Sequence, residues 1–404
     1  MRIAVIGGGA AGFFAAITAK QAAPEHDVVL LEATGRLLSK VRVSGGGRCN
    51  VTHACFDARE LVQFYPRGGK ELRQAFSRFM PGDTVAWFED RGVVLKTEVD
   101  GRMFPVTDDS GTIVDCLLNE ARLHGVEIKL SSPVRSIVPE NNRFILSFRE
   151  GGESIFDRVL IATGGSPKLE GFDWIASFGH TIVPPVPSLF TFNIPNDAVT
   201  KLMGVSVEQA VVTLPEDNFA VRGPLLITHW GLSGPAVLKL SSLAARRLAD
   251  RNYRFEALVN WWGETDSTDA WEWITSMRKE RTTAKVLSGP PSGISKRLWE
   301  FLLHRSGIRT EINWSDLRKE EAEALVRTVL SDRYQINGKT TFKDEFVTCG
   351  GVSLKEVDFK TMQSKIVPGL FFAGEVLDID AVTGGFNFQS AWTTGFIAGN
   401  AMVV

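Results

Sequence analysis

The first thirty-two residues decide the fold. Residues 1–32 read MRIAVIGGGAAGFFAAITAKQAAPEHDVVLLE. An apolar run, Arg2–Ile6, leads into three glycines, and the helix-like run Phe13–Ala23 follows. A second apolar run, Val28–Leu31, ends at Glu32. The order strand, glycine turn, helix, strand and acid is typical of a βαβ unit that binds a dinucleotide.

Each special residue of this unit has a physical reason. We expect Gly7 to allow the tight turn, Gly9 to let the backbone approach a pyrophosphate, and Gly12 to let the helix pack close to the strand. The N–H groups and the dipole at the helix start then favour phosphates. Glu32 stands where the motif places the acid that accepts ribose hydroxyls, and it repels a 2′-phosphate. This predicts FAD or NAD rather than NADP; the alternative is a plain glycine-rich turn.

Composition indicates an ordinary globular protein. The 404 residues exceed the usual size of one core, so two or three domains are expected. A net charge of −2 gives no global attraction to nucleic acid or anionic membrane, although a local basic patch stays open. The four cysteines, at positions 49, 55, 116 and 349, form no CxxC pair and no metal-ligand spacing, so we expect neither disulfides nor a metal site. With no apolar run long enough to span a membrane and no room for a signal peptide, we predict a soluble cytoplasmic protein that binds no membrane.

A second glycine-rich stretch follows the βαβ unit. Residues 35–50 read GRLLSKVRVSGGGRCN. Three consecutive glycines with Lys40, Arg42 and Arg48 around them predict a loop rather than a helix or a strand. Such a loop suits a backbone that lies against a flat, electron-rich ligand. A flexible surface loop is the alternative.

The remaining pattern predicts four segments. In the first, residues 1–187, the strand Val159–Ile161 runs into Thr163, Gly164 and Gly165, which fits the far side of the same crevice. The predicted helices and strands of this segment are Asp57–Phe64, Lys70–Phe79, Asp83–Arg91 and Gly111–His124, and Val93–Lys96, Arg102–Pro105, Val126–Leu130, Val134–Val138 and Phe144–Phe148. Prolines at 184, 185 and 187 mark a crossing into a β-rich insertion at 188–265, and a helical insertion at 266–340 follows. Residues 341–404 return to the nucleotide domain.

The last segment has the features that a flavin needs. Gly369–Glu375 is a strand that ends in a glycine and a carboxylate, and a helix is predicted at 390–402 after Gly384 and Gly385. A carboxylate at a strand end can accept hydrogen bonds from a ribityl chain. A helix N-terminus can stabilise negative charge at the flavin N1–C2=O locus. A purely structural strand–turn–helix is the alternative.

Four stretches together resemble one family. They are Gly7–Gly12, Ser44–Asn50, Gly231–Pro235, and Gly374–Asp378 with Gly384–Asn387. Over nearly its whole length the chain is similar to the BaiN/YhiN-like family of NAD(P)/FAD-dependent oxidoreductases. The resemblance implies an α/β fold: a Rossmann-like FAD-binding domain of the glutathione-reductase type in two sequence parts, with an inserted β-rich domain and a helical domain.

The resemblance also implies the FAD contacts. They are Gly7, Gly9, Ala11, Gly12, Glu32, Ala33, Lys40, Gly47, Arg48, Asn50, Val134, Thr163, Gly164, Gly374, Glu375, Asp378 and Asn387. Two departures concern the substrate rather than FAD: Phe386 stands where members commonly have tyrosine, and residues 166–172 replace a longer loop. Members are linked to reduction of unsaturated steroids, oxidation of amines and reduction of a uridine in ribosomal RNA.

We therefore expect an FAD-dependent reductase that carries hydride from NAD(P)H to an activated C=C bond. The sequence has no second GxGxxG, so the nicotinamide binds transiently in the substrate cleft or a separate protein donates the electrons. A small-amine oxidase and an RNA uridine reductase stay open as alternatives, and so does a flavin sensor without turnover. The substrate is thus a small molecule or RNA, and the oligomeric state is open.

Reducing a C=C bond also needs a proton. His229 directly precedes Trp230 and the Gly231–Pro235 turn, which the resemblance places facing the flavin. Histidine is the side chain most often tuned for proton transfer at neutral pH, so we predict His229 to be the proton donor or a substrate hydrogen-bond partner. A packed core histidine is the alternative. Cys49, as a thiol acid, and Arg48, as a cation beside an enolate, are the next candidates.

Overall fold

A computed structural model describes residues 1–263, 265–341 and 347–404. The chain forms two compact units. The first is Met1–Ser188 with Phe342–Val404, of which 347–404 are described, and the second is Leu189–Thr341. The predicted boundaries after residues 187, 265 and 340 stay predictions. Within the described ranges, no helix combines the length and the apolar character that crossing a membrane requires.

The elements are numbered in chain order. The first unit begins with β1 Arg2–Ile6, α1 Ala10–Ala22, β2 Asp27–Leu31, α2 Ser39–Gly47, β3 Thr52–His53, α3 Ala58–Leu61, α4 Gly69–Phe76, α5 Pro81–Glu89, β4 Leu95–Thr97, β5 Arg102–Pro105, α6 Ser110–Leu123, β6 Glu127–Lys129, β7 Val134–Glu140, β8 Arg143–Phe148, β9 Glu153–Phe156, β10 Arg158–Ile161, α7 Asp173–Ala176 and β11 Ile182–Ser188. The second unit contains β12 Thr191–Asn193, β13 Ser206–Leu214, β14 Phe219–Ile227, β15 Gly231–Ser233, α8 Pro235–Leu243, α9 Ala245–Asp250, β16 Arg254–Asn260, α10 Ser267–Glu280, α11 Lys296–Arg305, α12 Lys319–Leu330, β17 Asp332–Asn337 and β18 Lys339–Thr340. The first unit then continues with β19 Val347–Val352, β20 Val357–Asp358, β21 Gln363–Ser364, β22 Leu370–Phe372 and α13 Phe386–Ala401.

The central sheet of the first unit has the order β20-β21-β22-β10-β1-β2-β6. The strands β22, β10, β1, β2 and β6 run parallel. The register places Ile6 opposite both Leu31 and Ile161, and Ile161 opposite Phe372. The carboxyl ends of these strands therefore meet at one edge of the sheet, where ligands bind in open α/β sheets.

The first and the last helix of this unit pack directly on each other. Both bury residues around most of their circumference, as expected of helices enclosed by other elements. A Cβ added to Gly395 would lie 2.7 Å from the carbonyl oxygen of Ala11, and one on Gly399 would lie 2.6 Å from that of Ala15. Glycine at these two positions of α13 is what lets its backbone approach α1 so closely.

The chain leaves and re-enters the first unit at paired strands. β11 pairs antiparallel with β19, and Ser188 lies opposite Val347. The sequence pattern did not predict β11, because prolines interrupt it. Proline removes a ladder donor and is tolerated in edge strands, and among the described residues β11 pairs with β19 alone.

The second unit is built on an antiparallel sheet with the order β17-β16-β13-β14-β15-β12-β18. Its core joins the sheet to the helices: Val212 of β13, Leu240 of α8, Ile274 of α10 and Trp299 of α11 belong to one cluster of buried side chains. After the three helices α10–α12 the chain returns to the same sheet through β17, which pairs with β16. Strands on both sides of the helical segment thus share one core.

Several helix boundaries differ from the predictions. α1 begins at Ala10 rather than Phe13, because Gly9 has the extended backbone of a cap. α5 begins at Pro81, two residues before the predicted start at Asp83, because proline fits the first helical position, which needs no donor. The Asp83 side chain accepts a hydrogen bond from the N–H of the cap residue Met80 at 2.8 Å.

Two predicted helices are divided. The sequence pattern predicts one helix at Ala236–Asp250, but the structure has two, α8 and α9, separated at Ala244, whose backbone (φ −97°, ψ 8°) is not helical. The pattern also predicts one helix at Trp314–Ser331, where the structure has a 3₁₀ turn, Trp314–Asp316, and α12. The strands β4 and β5 pair as a hairpin, with Gly101 at φ +87° in its turn.

Candidate functional site

The predicted site residues of the first unit gather around the carboxyl edge of the central sheet. Three backbone bonds show how the loops leave this edge: Gly7 N–H donates to Leu31 at 2.8 Å, Ala162 N–H to Ile6 at 2.8 Å, and Ala373 N–H to Ile161 at 3.1 Å. The loops that follow β1, β2, β10 and β22 therefore surround one crevice. This is the position at which the sequence predicted a dinucleotide.

Two glycines of the turn after β1, Gly7 and Gly12, have no room for a side chain. Gly7 has φ +117°, and a Cβ there would lie 2.3 Å from the Ala162 carbonyl oxygen. A Cβ on Gly12 would lie 2.0 Å from the Gly7 carbonyl oxygen. Beside Gly9, in contrast, no described atom lies within 4 Å of an added Cβ. Steric crowding therefore requires glycine at Gly7 and Gly12. The start of α1 beside Gly9 is open, and a helix N-terminus stabilises a phosphate.

Glu32 is held at the end of β2 by three hydrogen bonds. Its Oε2 accepts from the Gly8 N–H at 2.9 Å, and its Oε1 accepts from the N–H and the hydroxyl of Thr34, both at 2.8 Å. A carboxylate has about four lone-pair sites, so capacity remains for a hydroxyl ligand. Ser132 N–H donates to the Glu32 carbonyl at 2.8 Å, so Val134 at the start of β7 lies near Glu32. Ala33, the next residue after Glu32, is exposed.

The second glycine stretch is partly helical, which corrects the predicted loop. α2 covers Ser39–Gly47, but Ser44 has φ −62° and ψ 148° and the following glycines are left-handed, with φ +60°, +70° and +86°. The residues before Ser44 contain no glycine and form helical turns. The left-handed glycine turn is closed by a 3.0 Å bond from the Cys49 N–H to the Ser44 carbonyl. No described atom lies within 4 Å of a Cβ added to Gly46 or Gly47, so this backbone faces open space.

Arg48 is held by protein charges. Its Nη1 lies 2.7 Å from Glu98 Oε1 and 3.5 Å from Asp108 Oδ1, and the guanidinium lies over the Phe104 ring at 4.0 Å. The hydrogen bond with Glu98 raises the pKa of the Arg48 side chain. Arg48 is therefore a fixed cation beside the glycine turn.

Cys49 is completely buried and has a left-handed backbone, with φ +60°. Burial raises the pKa of its thiol to about 12. A general acid works best when its pKa is near the working pH, so this environment makes Cys49 a poor proton donor.

The start of α13 is a second crowded turn. With its side-chain amide oriented to satisfy both neighbours, Asn50 accepts from the Gly385 N–H at 2.9 Å and donates to the Thr52 carbonyl at 3.1 Å. A Cβ on Gly385 would lie 2.5 Å from that carbonyl oxygen. Asn387 makes two bonds with the backbone of Ala381, at 3.0 and 3.1 Å. Asn50 and Asn387 thus hold the turn through which α13 begins.

Glu375 connects the two sequence parts of the first unit. Its Oε2 lies 2.5 Å from Lys40 Nζ, and its Oε1 accepts from the Thr348 N–H at 2.8 Å. The Thr348 hydroxyl is buried and has no hydrogen-bond partner among the described residues. A Cβ on Gly165 would lie 2.2 Å from this hydroxyl and 2.8 Å from Glu375 Oε1, so the backbone after β10 packs against both.

The other predicted residues occupy neighbouring loops. Thr163 and Gly164 follow β10; Gly164 has φ +76°, and no described atom lies within 4 Å of an added Cβ. The Gly374 N–H donates to the Thr394 hydroxyl at 2.9 Å, and the Asp378 N–H donates to Val352 at 3.0 Å. These contacts position the loop after β22, which carries Glu375.

His229 lies in the second unit. It is exposed, and its ring packs edge-on against Trp230 with centroids 4.3 Å apart. The adjoining turn is closed by hydrogen bonds between Thr228 and Gly231. His229 is therefore not a buried core histidine, and its catalytic role stays a prediction.

Sequence reasoning missed a cluster beside the start of α13. His53 Nδ1 lies 2.9 Å from the Gly384 carbonyl oxygen, the Tyr65 hydroxyl donates to the Phe386 carbonyl at 2.6 Å, and Arg67 forms an ion pair with the buried Asp380. The only available signal for His53 was its position three residues after Asn50. Burial raises the pKa of Asp380, although Arg67 opposes this effect.

The residues present fit FAD. Glycine backbone at Gly9, at Gly46–Gly47 and at Gly164 faces open space along an otherwise crowded edge. Glu32 retains acceptor capacity for a ribose, and Glu375 offers a carboxylate next to the unpartnered Thr348 hydroxyl. These donors and acceptors suit a ligand with a central pyrophosphate, a ribose on one side of it and a ribityl chain on the other.

Two solved structures illustrate the shared fold. The 3-ketosteroid-delta4-(5alpha)-dehydrogenase of Rhodococcus jostii RHA1, solved with 4-androstene-3,17-dione, matches with a TM-score of 0.52 and 14% identity, covering 100% of this chain and 96% of that chain. The 3-ketosteroid delta1-dehydrogenase of Sterolibacterium denitrificans matches with a TM-score of 0.51 and 12% identity, covering 99% of both chains. At these identities the likeness concerns the fold alone.

Sequence relatives extend over nearly the whole chain. A 3-dehydro-bile acid delta(4,6)-reductase of Clostridium scindens is 28% identical over 408 residues, 99% of this chain and 98% of the relative. A ribosomal RNA dihydrouridine synthase of Escherichia coli K12 is 29% identical over 415 residues, 99% of this chain and 97% of the relative.

The fold and the strand-end site define the class: the chain is an FAD-dependent oxidoreductase. The model of one family, described as HI0933-like protein Rossmann domain, matches residues 1–401. This chain belongs to that family. The predicted Rossmann-like fold and the resemblance to the BaiN/YhiN-like oxidoreductases are thereby confirmed.

Proposed function

We propose that this chain reduces a C=C bond conjugated to a carbonyl group in a small molecule, with NAD(P)H as the electron donor. One observation carries the proposal. The two relatives have names with different substrates but the same chemistry: a 3-keto bile acid loses ring double bonds in one, and uridine becomes dihydrouridine in the other. In both, the saturated bond is conjugated to a carbonyl.

The residues around the sheet edge take defined parts in this proposal. The N–H groups at the start of α1 would hold the pyrophosphate beside Gly9, and Glu32 would hold the adenosine ribose. Glu375, which pairs with Lys40, would accept hydrogen bonds from the ribityl chain. The N-terminus of α13 would favour negative charge at the N1–C2=O locus. Bound FAD supplies the two-electron hydride chemistry, and the protein supplies binding, orientation and electrostatics.

The proton has a separate source. We propose His229 as its donor or as a hydrogen-bond partner of the substrate, since it is exposed and carries a group suited to neutral pH. Arg48, fixed by Glu98, offers a cation for the enolate oxygen that forms when the conjugated bond accepts hydride. Cys49 is the weakest of the three candidates, because its pKa of about 12 opposes proton release.

The electron donor follows from what the first unit contains. The βαβ unit at the start of the chain is the proposed binding site for FAD. The sequence has no second GxGxxG that would bind NAD(P)H in a domain of its own. NAD(P)H therefore binds transiently where the substrate later binds, or a separate protein supplies the electrons. We favour NAD(P)H, since it needs no partner.

RNA is the second candidate substrate, and the Escherichia coli relative is the observation that favours it. The net charge of −2 argues against it, because RNA binding draws its affinity from cationic side chains that neutralise phosphates. A small enone satisfies the same chemistry without that requirement.

The test is anaerobic. The purified protein receives NADH or NADPH while the flavin absorbance is followed, and then a 4-en-3-one steroid, a 4,6-dien-3-one steroid or unmodified ribosomal RNA in separate reactions. We expect NAD(P)H to bleach the flavin and an enone to restore its colour with formation of the saturated ketone. Restoration by RNA alone would support the uridine reductase. Bleaching by small amines, with peroxide formed in air, would support the amine oxidase.

A further inference from the structure

The start of α13 is held by side chains from separate parts of the first unit. Asn50 binds the N–H of Gly385, the Tyr65 hydroxyl binds the carbonyl of Phe386, and His53 binds the carbonyl of Gly384. These groups come from segments more than 300 residues away in sequence. Such a convergence on three consecutive residues, Gly384 to Phe386, indicates that the direction of this turn matters.

The two glycines cannot set that direction themselves. Gly384 and Gly385 have φ +137° and +92°, and glycine visits such conformations as readily as others. A peptide between two glycines can therefore rotate, which would replace an N–H by a C=O at the same place. Near a helix N-terminus this exchange reverses the sign of the local dipole. A contact from outside the turn must select one orientation.

Two side chains contact this peptide from opposite ends: Asn50 accepts from the Gly385 N–H at 2.9 Å, and His53 contacts the Gly384 carbonyl oxygen. A carbonyl oxygen only accepts hydrogen bonds, so the 2.9 Å contact with Gly384 requires the proton on Nδ1. The His53 ring stacks on Phe386, with centroids 4.4 Å apart and planes inclined by 28°. Phe386 stacks on Phe64 at 4.2 Å. A Cβ on Gly101 would lie 2.5 Å from Nε2, so the hairpin turn closes on the other edge of the ring.

We propose that His53 is a positioning residue for the flavin site. Its Nδ1–H holds the Gly384 carbonyl in one orientation and so keeps the N–H groups of the first turn of α13 available for the negative charge that reduction places on the flavin. The inference rests on the proposed function, which puts the N1–C2=O locus at this helix start. Because the charge exists only after reduction, His53 affects the flavin potential more than the binding of oxidised FAD.

Three variants separate the contributions of the His53 ring. His53→Phe keeps a ring on Phe386 but loses the donor, and His53→Asn keeps a donor but loses the ring. His124→Gln is the matched control, because this histidine lies at the end of α6 and contacts Gln21 and Glu120. The two-electron midpoint potential of bound flavin is measured by equilibration with a reference dye, and FAD affinity by fluorescence, so neither readout needs substrate or NAD(P)H.

We expect His53→Phe to lose about tenfold in its preference for reduced over oxidised FAD, a potential about 30 mV more negative. His53→Asn and His124→Gln should keep the wild-type potential. A wild-type potential in His53→Phe, or equal shifts in the Phe and Asn variants, would refute the role of His53. A wild-type protein that binds no FAD would instead refute the proposed function.

A second measurement does not depend on the folding of the Phe variant. In wild-type protein labelled with ¹⁵N-histidine, the ring nitrogens of His53 report its tautomer, and substitution of the other five histidines one at a time assigns its signals by elimination. We expect the Nδ1-protonated form with both oxidised and reduced FAD. The Nε2-protonated form would overturn the inference.

Discussion

Replacing Glu32 by alanine should weaken FAD binding while leaving the protein folded. Glu32 ends β2 at the crevice, and its carboxylate accepts three hydrogen bonds from Gly8 and Thr34. The proposed function adds a bond from a ribose hydroxyl. Thr34 is exposed, so water can replace the lost carboxylate at its N–H and its hydroxyl, but water cannot replace it for a bound ribose. Gly8 is buried, so its N–H loses the acceptor that Glu32 provides.

The magnitude follows from one charged hydrogen bond. Such a bond contributes roughly 1.5–3 kcal/mol, which corresponds to an increase in the FAD dissociation constant of about 10- to 150-fold at 1.4 kcal/mol per factor of ten. The apoprotein should lose about 1–3 kcal/mol of unfolding free energy, because the buried Gly8 N–H loses its acceptor while the two Thr34 bonds are exchanged for bonds to water. Glu32→Gln should give an intermediate FAD affinity, because the amide keeps one acceptor but no charge.

The assay is FAD titration of apoprotein, followed by flavin fluorescence, with urea unfolding of each apoprotein alongside. Glu127→Ala is the matched control: this carboxylate lies on β6, opposite Val29 of β2, is exposed and pairs with Lys129 at 3.2 Å. Unchanged FAD affinity in Glu32→Ala would show that Glu32 only organises the turn and would refute the reasoning. An equal loss of affinity in Glu127→Ala would mean that general charge, not position, decides.

Three further predictions concern the cofactor, the proton and pH. The protein should purify yellow with FAD that acid precipitation releases completely, as absorbance of the supernatant will show; flavin retained in the pellet would contradict a non-covalent site. Once a substrate is known, His229→Gln should slow substrate reduction in stopped-flow experiments but not flavin reduction, and wild-type rates of both across pH would make His229 structural. Burial lowers the pKa of His180 despite its contact with Glu356. Below the ordinary histidine pKa of about 6.5 the unfolded chain therefore binds more protons than the folded protein, and the free energy of unfolding decreases as the pH falls. Urea unfolding between pH 5 and 7.5 should show a smaller pH dependence in His180→Gln, and identical slopes in the two proteins would contradict this assignment.

The local part of the site was predictable from the sequence. Gly7 and Gly12 follow from a spacing that only a strand, a tight turn and a helix satisfy, and the structure shows backbone oxygens where a Cβ would be. Glu32 follows because the second strand of a βαβ unit ends beside the first turn. Such signals lie within thirty residues, so the periodicity of apolar residues is enough to place them.

The contacts between distant segments were not predictable. His53 and Gly384 are 331 residues apart, and Arg67 and Asp380 are 313 apart. A single sequence has no pattern that pairs such positions. The strand β11 was missed for a related reason: its prolines argue against a strand, and only its pairing with β19 makes it one.

The close packing of α1 on α13 has a consequence for synthesis of the chain. The second unit is continuous in sequence, so all strands of its sheet have been made once residue 341 leaves the ribosome. The first unit must wait for β22 to pair with β10 and for α13 to cover α1. Until then the residues of α1 that pack against α13 lack that cover. A nascent chain of this protein should therefore carry a complete insertion and an unfinished nucleotide-binding domain at the same time.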